Sequence, residues 1–119
     1  MIAKKFRFHG YGSLRFVYTK GRTVRVQFLS MKYIQNNRQK QSRVAVVVSK
    51  KITKIAPNRN RIRRRLYEVV RHQLSHINTP HDIVITVFDA RVGEMPANEL
   101  NDLIDYLFKQ SQLKPNTQP

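Results

Sequence analysis

The 119 residues include 23 Lys and Arg against 7 Asp and Glu, a formal net charge of +16 at pH 7, and this length suits a single domain with its own hydrophobic core. Cysteine is absent, so disulfides, thiolate catalysis and cysteine-based zinc sites are excluded. No apolar run is long enough to span a membrane and charge comes too early for a secretory signal, so we expect a soluble cytoplasmic protein.

The N-terminal third predicts a short helix followed by an extended segment. Residues Gly12 to Lys20 suit a helix that ends at Gly21, a residue type common just after helix ends. Apolar and polar residues alternate imperfectly from Thr23 to Ile34, which is typical of a half-buried strand. The polar stretch from Gln35 to Gln41 then predicts an exposed loop.

Two runs rich in β-branched residues predict interior strands. Val44 to Val48 is continuously apolar, and we expect a central strand that is covered on both faces and pairs antiparallel with the preceding strand. Asp82 to Phe88 has the same character and predicts a further interior strand. Both runs are therefore expected inside one sheet.

Two helices are marked by apolar residues at helical spacing. The apolar positions of the first share an arc of roughly 140° and are Ile62, Leu66, Val69, Val70, Leu74 and Ile77. The second opens near Pro96, and its apolar positions are Leu100, Leu103, Ile104, Leu107 and Phe108. The order helix, two strands, helix, strand, helix predicts an α+β fold, with helices packed on one mixed sheet. We expect a single small domain over residues 1–112 and a flexible tail over residues 113–119.

The positive charge is concentrated in one part of the chain. Residues 1–71 hold 20 Lys and Arg and one acid, whereas residues 72–119 hold three basic and six acidic residues. Repulsion among so many like charges costs stability, and a polyanionic partner relieves it. Nucleic acid is the favoured partner class, ahead of an anionic membrane surface or a merely solvated basic face.

The densest basic feature is the run from Asn58 to Arg65, at the start of the first strong helix. Its outward positions on a helical wheel are Arg61, Arg64, Glu68 and Arg71, with Arg65 and His72 beside them. Arginine binds phosphate bidentately and stays protonated in water, and a helix N-terminus adds free N–H groups. Because Glu68 is the single acid among residues 1–81, pairing within the helix does not explain the run. We interpret it as a phosphate-binding surface.

Two weaker features lie in the same basic half. Ser49, Lys50 and Lys51 follow the predicted central strand, where flexible lysines suit sequence-independent phosphate contacts. Seven aromatic residues are interleaved with Lys and Arg, namely Phe6, Phe8, Tyr11, Phe16, Tyr18, Phe28 and Tyr33. These rings suit stacking on unpaired bases and suit equally the core of a small domain without tryptophan. Both alternatives stay open.

Residues for protein-borne catalysis are scarce. His72 and His76 have the i, i+4 spacing of a helical metal-ligand pair, but a third ligand is not apparent in the sequence, and surface histidines are the favoured interpretation. Motifs of phosphate-binding loops, serine hydrolases and zinc peptidases are missing, and the acids lie almost entirely in the C-terminal third. We therefore expect no catalytic residue in this chain and no metal bound by the protein alone.

Two adjoining motifs resemble the family of bacterial ribonuclease P proteins. Val48-Ser49-Lys50-Lys51-Ile52, followed by Arg59-Asn60-Arg61-Ile62-Arg63-Arg64, is similar to a signature in which a strand ends in Ser-Lys-Lys and a helix opens on Arg-Asn-Arg. Val17-Tyr18-x-x-Gly21-Arg22 is similar to the N-terminal helix and glycine of that family. The resemblance covers about residues 4–110.

The resemblance implies a subunit of a ribonucleoprotein endonuclease that removes the 5′ leader of precursor tRNA. The implied partners are the catalytic RNA and precursor tRNA, with no membrane and no protein partner required. The catalytic centre would belong to the RNA, which would also bind most of the magnesium. The implied fold is ribosomal-protein-like, with two parallel strands joined through the arginine helix by a left-handed crossover.

By position, the resemblance implies two groups of site residues. The RNA-binding group is Arg59, Asn60, Arg61, Arg63, Arg64, Lys50 and Lys51, to which the helical wheel adds Arg65 and Arg71. A leader-binding cleft is implied between the sheet and the arginine helix, and the matching positions are Leu14, Phe16, Tyr18, Met31 and Tyr33. Leu14 stands where the family usually has Phe, and Tyr67 stands where a further arginine is common. Met31 and Tyr33 are alternatives for one strand position.

Two other functions compete with this one. A ribosomal or RNA-assembly protein would carry the same excess of positive charge without a role in cleavage. An RNA-cleaving enzyme that acts without an RNA subunit is the least favoured, because its basic half offers a single acid.

Overall fold

A computed structural model describes residues 11–36, 42–77 and 79–111, with the backbone alone for residues 11–15. Its elements are α1 (Tyr11–Lys20), β1 (Arg22–Val26), β2 (Leu29–Gln35), β3 (Arg43–Val47), α2 (Ala56–Leu74), β4 (His81–Val87), a 3₁₀ turn (Ala90–Gly93) and α3 (Ala97–Ser111). Across these ranges, no helix is long and apolar enough to cross a membrane. The predicted tail over 113–119 and most of the predicted loop over 35–41 lie outside the described residues.

The four strands form one mixed sheet in the order β1-β2-β4-β3. β1 and β2 are antiparallel, β2 and β4 are antiparallel, and β3 and β4 are parallel. α2 connects the two parallel strands, β3 and β4. The α+β class and the mixed sheet are confirmed, and the handedness of this connection stays a prediction.

Helices cover both faces of the sheet. On one face, α2 and α3 enclose the main core with residues of all four strands, and its fully buried members include Leu29, Met31, Val44, Ile83, Ile85, Leu66, Val70, Ile104 and Phe108. On the other face, Val17 of α1 is fully buried against Ala45 and Val84 in a second, smaller cluster. β3 and β4 are therefore apolar on both faces, which explains their unbroken runs of apolar residues.

The segment from Thr23 to Ile34 was expected as one strand, and this is wrong. It forms the hairpin of β1 and β2, whose two-residue turn contains Gln27 with a positive φ of 21°. The apolar positions change phase at this turn, so that Val24 lies opposite Met31 and Val26 lies opposite Leu29 on the core face. The imperfect alternation of the sequence was the sign of this phase change.

The expectation of a central β3 that pairs with the preceding strand is also wrong. β4 lies between β2 and β3, and β3 forms an edge of the described sheet. Covering on both faces is confirmed, because Val46 faces the main core and Ala45 faces α1. Burial on both faces makes an edge strand as apolar as a central one, so composition did not separate the two positions.

Tyr67 closes part of the exposed edge of β3. Its ring is buried, and its hydroxyl accepts a hydrogen bond of 3.2 Å from the backbone N–H of Val46. A strand edge with free N–H groups invites pairing with other chains. Tyr67 therefore has a structural role, since this side chain satisfies the backbone of β3.

Replacing Tyr67 by phenylalanine is expected to destabilise the fold by about 1–2 kcal/mol, because the Val46 N–H is left buried without an acceptor. Chemical denaturation of the two proteins measures the difference. Tyr106→Phe is the control, since Tyr106 is 47% exposed on α3, and its removal of a hydroxyl should leave the free energy of unfolding unchanged. Equal stability of the Tyr67 variant and the native chain would contradict the role of this hydroxyl.

Gly21 follows α1 as predicted. Close packing around this position explains why the residue is glycine. Its N–H donates to the Val17 carbonyl at 2.8 Å. A Cβ at this position would lie 2.5 Å from that carbonyl oxygen and 3.0 Å from the Tyr33 carbonyl oxygen. Glycine thus lets the end of α1 approach the backbone of β2.

Candidate nucleic-acid interface

The N-terminus of α2 has the features of an anion site. The helix begins at Ala56 with Pro57 in its first turn, and Ile55 at the N-cap position supplies no side-chain hydrogen bond. The first turn contains no acid. The positive end of the helix dipole is therefore not neutralised by the helix itself, which favours the binding of an anion such as phosphate.

The outward face of α2 carries the arginines that the helical wheel placed there. Arg61 and Arg64 are exposed, whereas Ile62 and Leu66 are buried in the core. Across the described residues, neither of these two arginines has an acidic partner within ion-pair distance. This division of the helix is confirmed, and it leaves two guanidinium groups available to an anionic partner.

Arg59 and Arg63 are oriented by neighbouring polar groups. The Arg59 guanidinium donates to the Thr53 carbonyl at 2.9 Å, and the Arg63 guanidinium donates to Asn60 Oδ1 at 2.7 Å. Both arginines remain partly exposed. Each group thus uses some of its five donors within the chain and keeps others for a partner, in an orientation that the fold already fixes.

Arg65 makes structural contacts, and its role as an RNA-binding residue stays a prediction. Its guanidinium donates to the Val92 carbonyl at 2.9 Å and also to the Met95 carbonyl. These carbonyls belong to the 3₁₀ turn and to the segment that leads into α3. Arg65 therefore joins α2 to that segment, because its planar group spans two acceptors at once.

Two further basic features lie near this face. Arg71 pairs with Glu68 at 3.1 Å in an exposed ion pair, so its charge is partly compensated, although such pairs contribute little to stability. Lys50 and Lys51 are exposed in the turn after β3, where the Ile52 N–H donates to the Ser49 carbonyl at 3.1 Å. The predicted location of the lysines at the end of β3 is confirmed.

A second candidate surface lies on the α1 face of the sheet. Tyr18 is 40% exposed, and the Lys32 ammonium lies 5.8 Å from the centre of its ring. The same ammonium donates to the Tyr18 carbonyl at 3.2 Å. An exposed ring beside a cation suits the stacking of an unpaired base next to its phosphate.

The leader-binding cleft was expected between the sheet and the arginine helix, and the structure corrects this. That space is filled by the main core. Met31 is fully buried there, so its prediction as a cleft residue is wrong. Tyr33 packs on the same core side, with its ring 6.4 Å from that of His81, and it does not share a surface with Tyr18.

Lys32, which lies beside the Tyr18 ring, was not among the site residues predicted from the sequence. Side chains of a strand alternate between the two faces of a sheet, and Leu29 and Met31 of β2 face the main core. Ser30 and Lys32 therefore face α1. The alternation within β2 was the available signal, and it was obscured because the hairpin was taken as one strand.

Phe16 and Tyr18 do not form one stacking surface. They are two residues apart on α1, which places them about 200° apart around the helix. Phe16 is 49% exposed and lies on the flank of α1 away from Tyr18. The side chain of Leu14, the remaining predicted cleft residue, lies outside the described part of the chain.

The candidate metal ligands do not converge. α2 ends at Leu74, so His76 lies beyond the helix and the expected helical pair with His72 is not formed. Within residues 11–36, 42–77 and 79–111, no three His, Cys, Asp or Glu side chains are grouped as a metal ion requires. These residues therefore do not fit a protein-borne magnesium site.

A mixed sheet with one basic surface on α2 and another beside α1 defines a small α+β protein of the nucleic-acid-binding class. The family model described as Ribonuclease P matches residues 2–112. The chain therefore belongs to the ribonuclease P protein family.

Individual relatives agree with this assignment. The chain is 39% identical over 71 residues to the ribonuclease P protein component of a Pseudanabaena species, an alignment that covers 60% of this chain and 61% of that relative. It is 35% identical to the ribonuclease P protein component of Caldanaerobacter subterraneus, over 82% of this chain and 81% of that one. The RNase P protein of Staphylococcus aureus has a similar structure, with a TM-score of 0.80 at 22% identity, over 92% of this chain and 97% of that one.

Proposed function

We propose that this chain binds the catalytic RNA of ribonuclease P and the 5′ leader of precursor tRNA, so that the ribonucleoprotein removes the leader by endonucleolytic cleavage. The observation that carries the proposal is the separation of two basic surfaces by one sheet. The α2 surface comprises Lys50, Lys51, Arg59, Asn60, Arg61, Arg63 and Arg64. The α1 surface comprises Tyr18 and Lys32.

The α2 surface is assigned to the catalytic RNA. Its side chains are mostly arginines on a helix that begins with an uncompensated dipole, which suits the phosphates of a folded RNA. Phosphate contacts of this kind fix position without dependence on base identity. Arg71 lies on the same outward side and would add a contact at the cost of its exposed pair with Glu68.

The α1 surface is assigned to the leader. A single-stranded leader has unpaired bases that stack on rings, whereas the bases of a folded RNA are largely occupied by pairing. Tyr18 supplies an exposed ring and Lys32 supplies a cation beside it. Phe16, on the other flank of α1, is available to an RNA segment that passes outside the helix.

The chemistry of cleavage is assigned to the RNA subunit, which in this proposal also holds most of the magnesium. In the described residues, Glu68, Asp82, Asp89 and Asp105 each make an ion pair with a basic neighbour. Asp82, the buried one, is held by Arg43 and Asn36. Each of these four carboxylates has a basic partner within the chain, and we assign positioning and charge compensation to this chain.

Reconstitution tests the proposed function. The purified chain should cleave no RNA, and it should increase cleavage of a leader-bearing precursor tRNA by its catalytic RNA at modest magnesium concentration. An unchanged rate and substrate affinity on addition of the protein would overturn the proposal. Recovery of mainly ribosomal RNA with the protein from cells would favour the ribosomal or assembly role instead.

Tyr18→Ala is expected to reduce the preference of the holoenzyme for precursor over mature tRNA by roughly tenfold, since one base loses a stacking partner worth about 1–3 kcal/mol. Equilibrium binding of both RNAs measures this preference. Tyr106→Ala is the matched control, because it removes a ring of similar exposure from α3. An equal loss of affinity for both RNAs in the Tyr18 variant would argue against leader contact.

A further inference from the structure

We propose that Asn60 and the Thr53 carbonyl are positioning groups, which orient the guanidinium groups of Arg63 and Arg59 before RNA binds and so adapt these two arginines to the geometry of phosphate. We call Arg59 and Arg63 the oriented pair. The inference rests on the proposed function, which brings the catalytic RNA to the α2 surface. It goes beyond that function because it gives Asn60 a role that requires no contact with RNA.

The oriented pair lies on a different side of α2 from Arg61. Arg59 and Arg63 are four positions apart in sequence and so about 40° apart around the helix, whereas Arg61 lies about 160–200° from them. Both members of the pair are half-buried, while Arg61 is exposed. A phosphate bound at the oriented pair is therefore not the phosphate that Arg61 contacts.

The oriented pair has no counterion within the described chain. Side chains four positions apart on a helix are neighbours, so two like charges there repel each other. Across residues 11–36, 42–77 and 79–111, no carboxylate lies within ion-pair distance of either arginine. Neutral oxygens accept from them instead, the Thr53 carbonyl from Arg59 at 2.9 Å and Asn60 Oδ1 from Arg63 at 2.7 Å. Half-buried charges in this arrangement favour the binding of an external anion.

The internal hydrogen bonds leave one edge of each guanidinium open. Both bonds are donated by Nη1, the terminal nitrogen on the Cδ side of the group. Nε and Nη2 form the other edge, and their parallel N–H groups match two oxygens of a phosphate. The acceptors that orient Arg59 and Arg63 therefore do not compete with RNA.

Arg61 and Arg64 provide a contrast within the same helix. Both are exposed, and a flexible side chain of this kind loses conformational freedom when it binds phosphate. Orientation in the free protein removes part of that cost for Arg59 and Arg63. We therefore expect the oriented pair to require the planar shape of arginine, and Arg61 and Arg64 to require mainly its charge.

Titration of the catalytic RNA at several salt concentrations tests the role of Asn60. Asn60→Leu removes the acceptor and should weaken assembly by about threefold or more. The slope of log affinity against log salt concentration should not change, because no charge is lost. In a chain that already carries Arg63→Ala, the same substitution should have no further effect. Asn101→Leu makes the matched exchange at an exposed position of α3 and should change nothing, and thermal melting checks that each variant is folded.

Lysine substitutions test the oriented pair at constant charge. Arg59→Lys and Arg63→Lys should each weaken assembly by about threefold or more, because an ammonium group has no planar edge for bidentate binding. Arg61→Lys and Arg64→Lys should bind the catalytic RNA nearly as the native chain does, since they keep the charge that displaces counterions.

Two results would contradict the positioning role while the proposed function stands. If Asn60→Leu weakens assembly equally in the native and Arg63→Ala backgrounds, Asn60 contacts the RNA itself. If Asn60→Leu and both lysine variants of the oriented pair bind like the native chain, orientation of the pair has no effect. A native chain that does not bind the catalytic RNA would instead refute the proposed function, and the positioning role with it.

Discussion

Replacing Arg61 and Arg64 together by alanine is expected to weaken assembly with the catalytic RNA by at least about tenfold at physiological salt, because in the proposed function each guanidinium donates a charge-assisted hydrogen bond to phosphate. The slope of log affinity against log salt concentration should become shallower by roughly two, one for each arginine removed. The fold should remain intact, since both side chains are exposed on α2 and make no ion pair within the described chain.

Affinity titrations over a range of salt concentrations measure this effect. The matched control is the double variant Arg91→Ala with Lys109→Ala, which removes the same net charge from two exposed positions. Arg91 and Lys109 are paired with Asp89 and Asp105 at 2.9 and 3.0 Å. If both double variants weaken binding equally, net charge alone controls affinity and the α2 surface has no particular role.

The helices were predictable from sequence because their determinants are local. The apolar stripe of α2 and the outward arginines have a period close to 3.6 residues, which survives whatever the helix packs against. Ile77 was expected in the apolar stripe of α2, but the helix ends at Leu74. Ile77 packs on the core from the segment that follows the helix. Local periodicity therefore predicted which residues of α2 face the core. It did not predict where the helix ends, because tertiary contacts determine that position.

Strand order was less predictable because it depends on partners far apart in sequence. β4 separates β2 from β3 by pairing with residues about 40 to 60 positions away. Asp82 contributes to this arrangement, since it accepts hydrogen bonds from Arg43 and Asn36, which lie on either side of the β2–β3 connection. No pattern within a single strand indicates such a pairing.

Local periodicity also explains why the sequence placed candidate side chains on the correct face of α2 and on the wrong face of the sheet. Residues on α2 are placed by helical periodicity alone, so Arg61 and Arg64 were located correctly. Residues on β2 require the register of the hairpin, and a shift of one residue exchanges the two faces of a strand. Met31 was therefore placed in the predicted cleft although it is buried in the core, and its neighbour Lys32 on the α1 face was not considered.

Arg65→Ala is expected to lower the free energy of unfolding by about 2–3 kcal/mol, a larger effect on stability than any other arginine of the run should have. The variant loses charge-assisted hydrogen bonds to the Val92 and Met95 carbonyls and leaves these acceptors without their donor. Val92 itself is fully buried, and a Cβ on Gly93 would lie 3.0 Å from Ile62. The 3₁₀ turn thus packs tightly on α2, and its carbonyls depend on Arg65.

Thermal and chemical denaturation of Arg65→Ala and Arg64→Ala provide the comparison, because the two variants lose the same side chain at adjacent positions. Arg65→Ala should melt roughly 8–12 °C lower than the native chain, whereas Arg64→Ala should melt like it and lose RNA affinity instead. Arg65→Lys should be intermediate, since an ammonium group cannot span two carbonyls as a guanidinium does. If Arg65→Ala is as stable as Arg64→Ala, the Arg65 side chain does not stabilise the packing of the 3₁₀ turn on α2. RNA binding would then remain as the predicted role of Arg65.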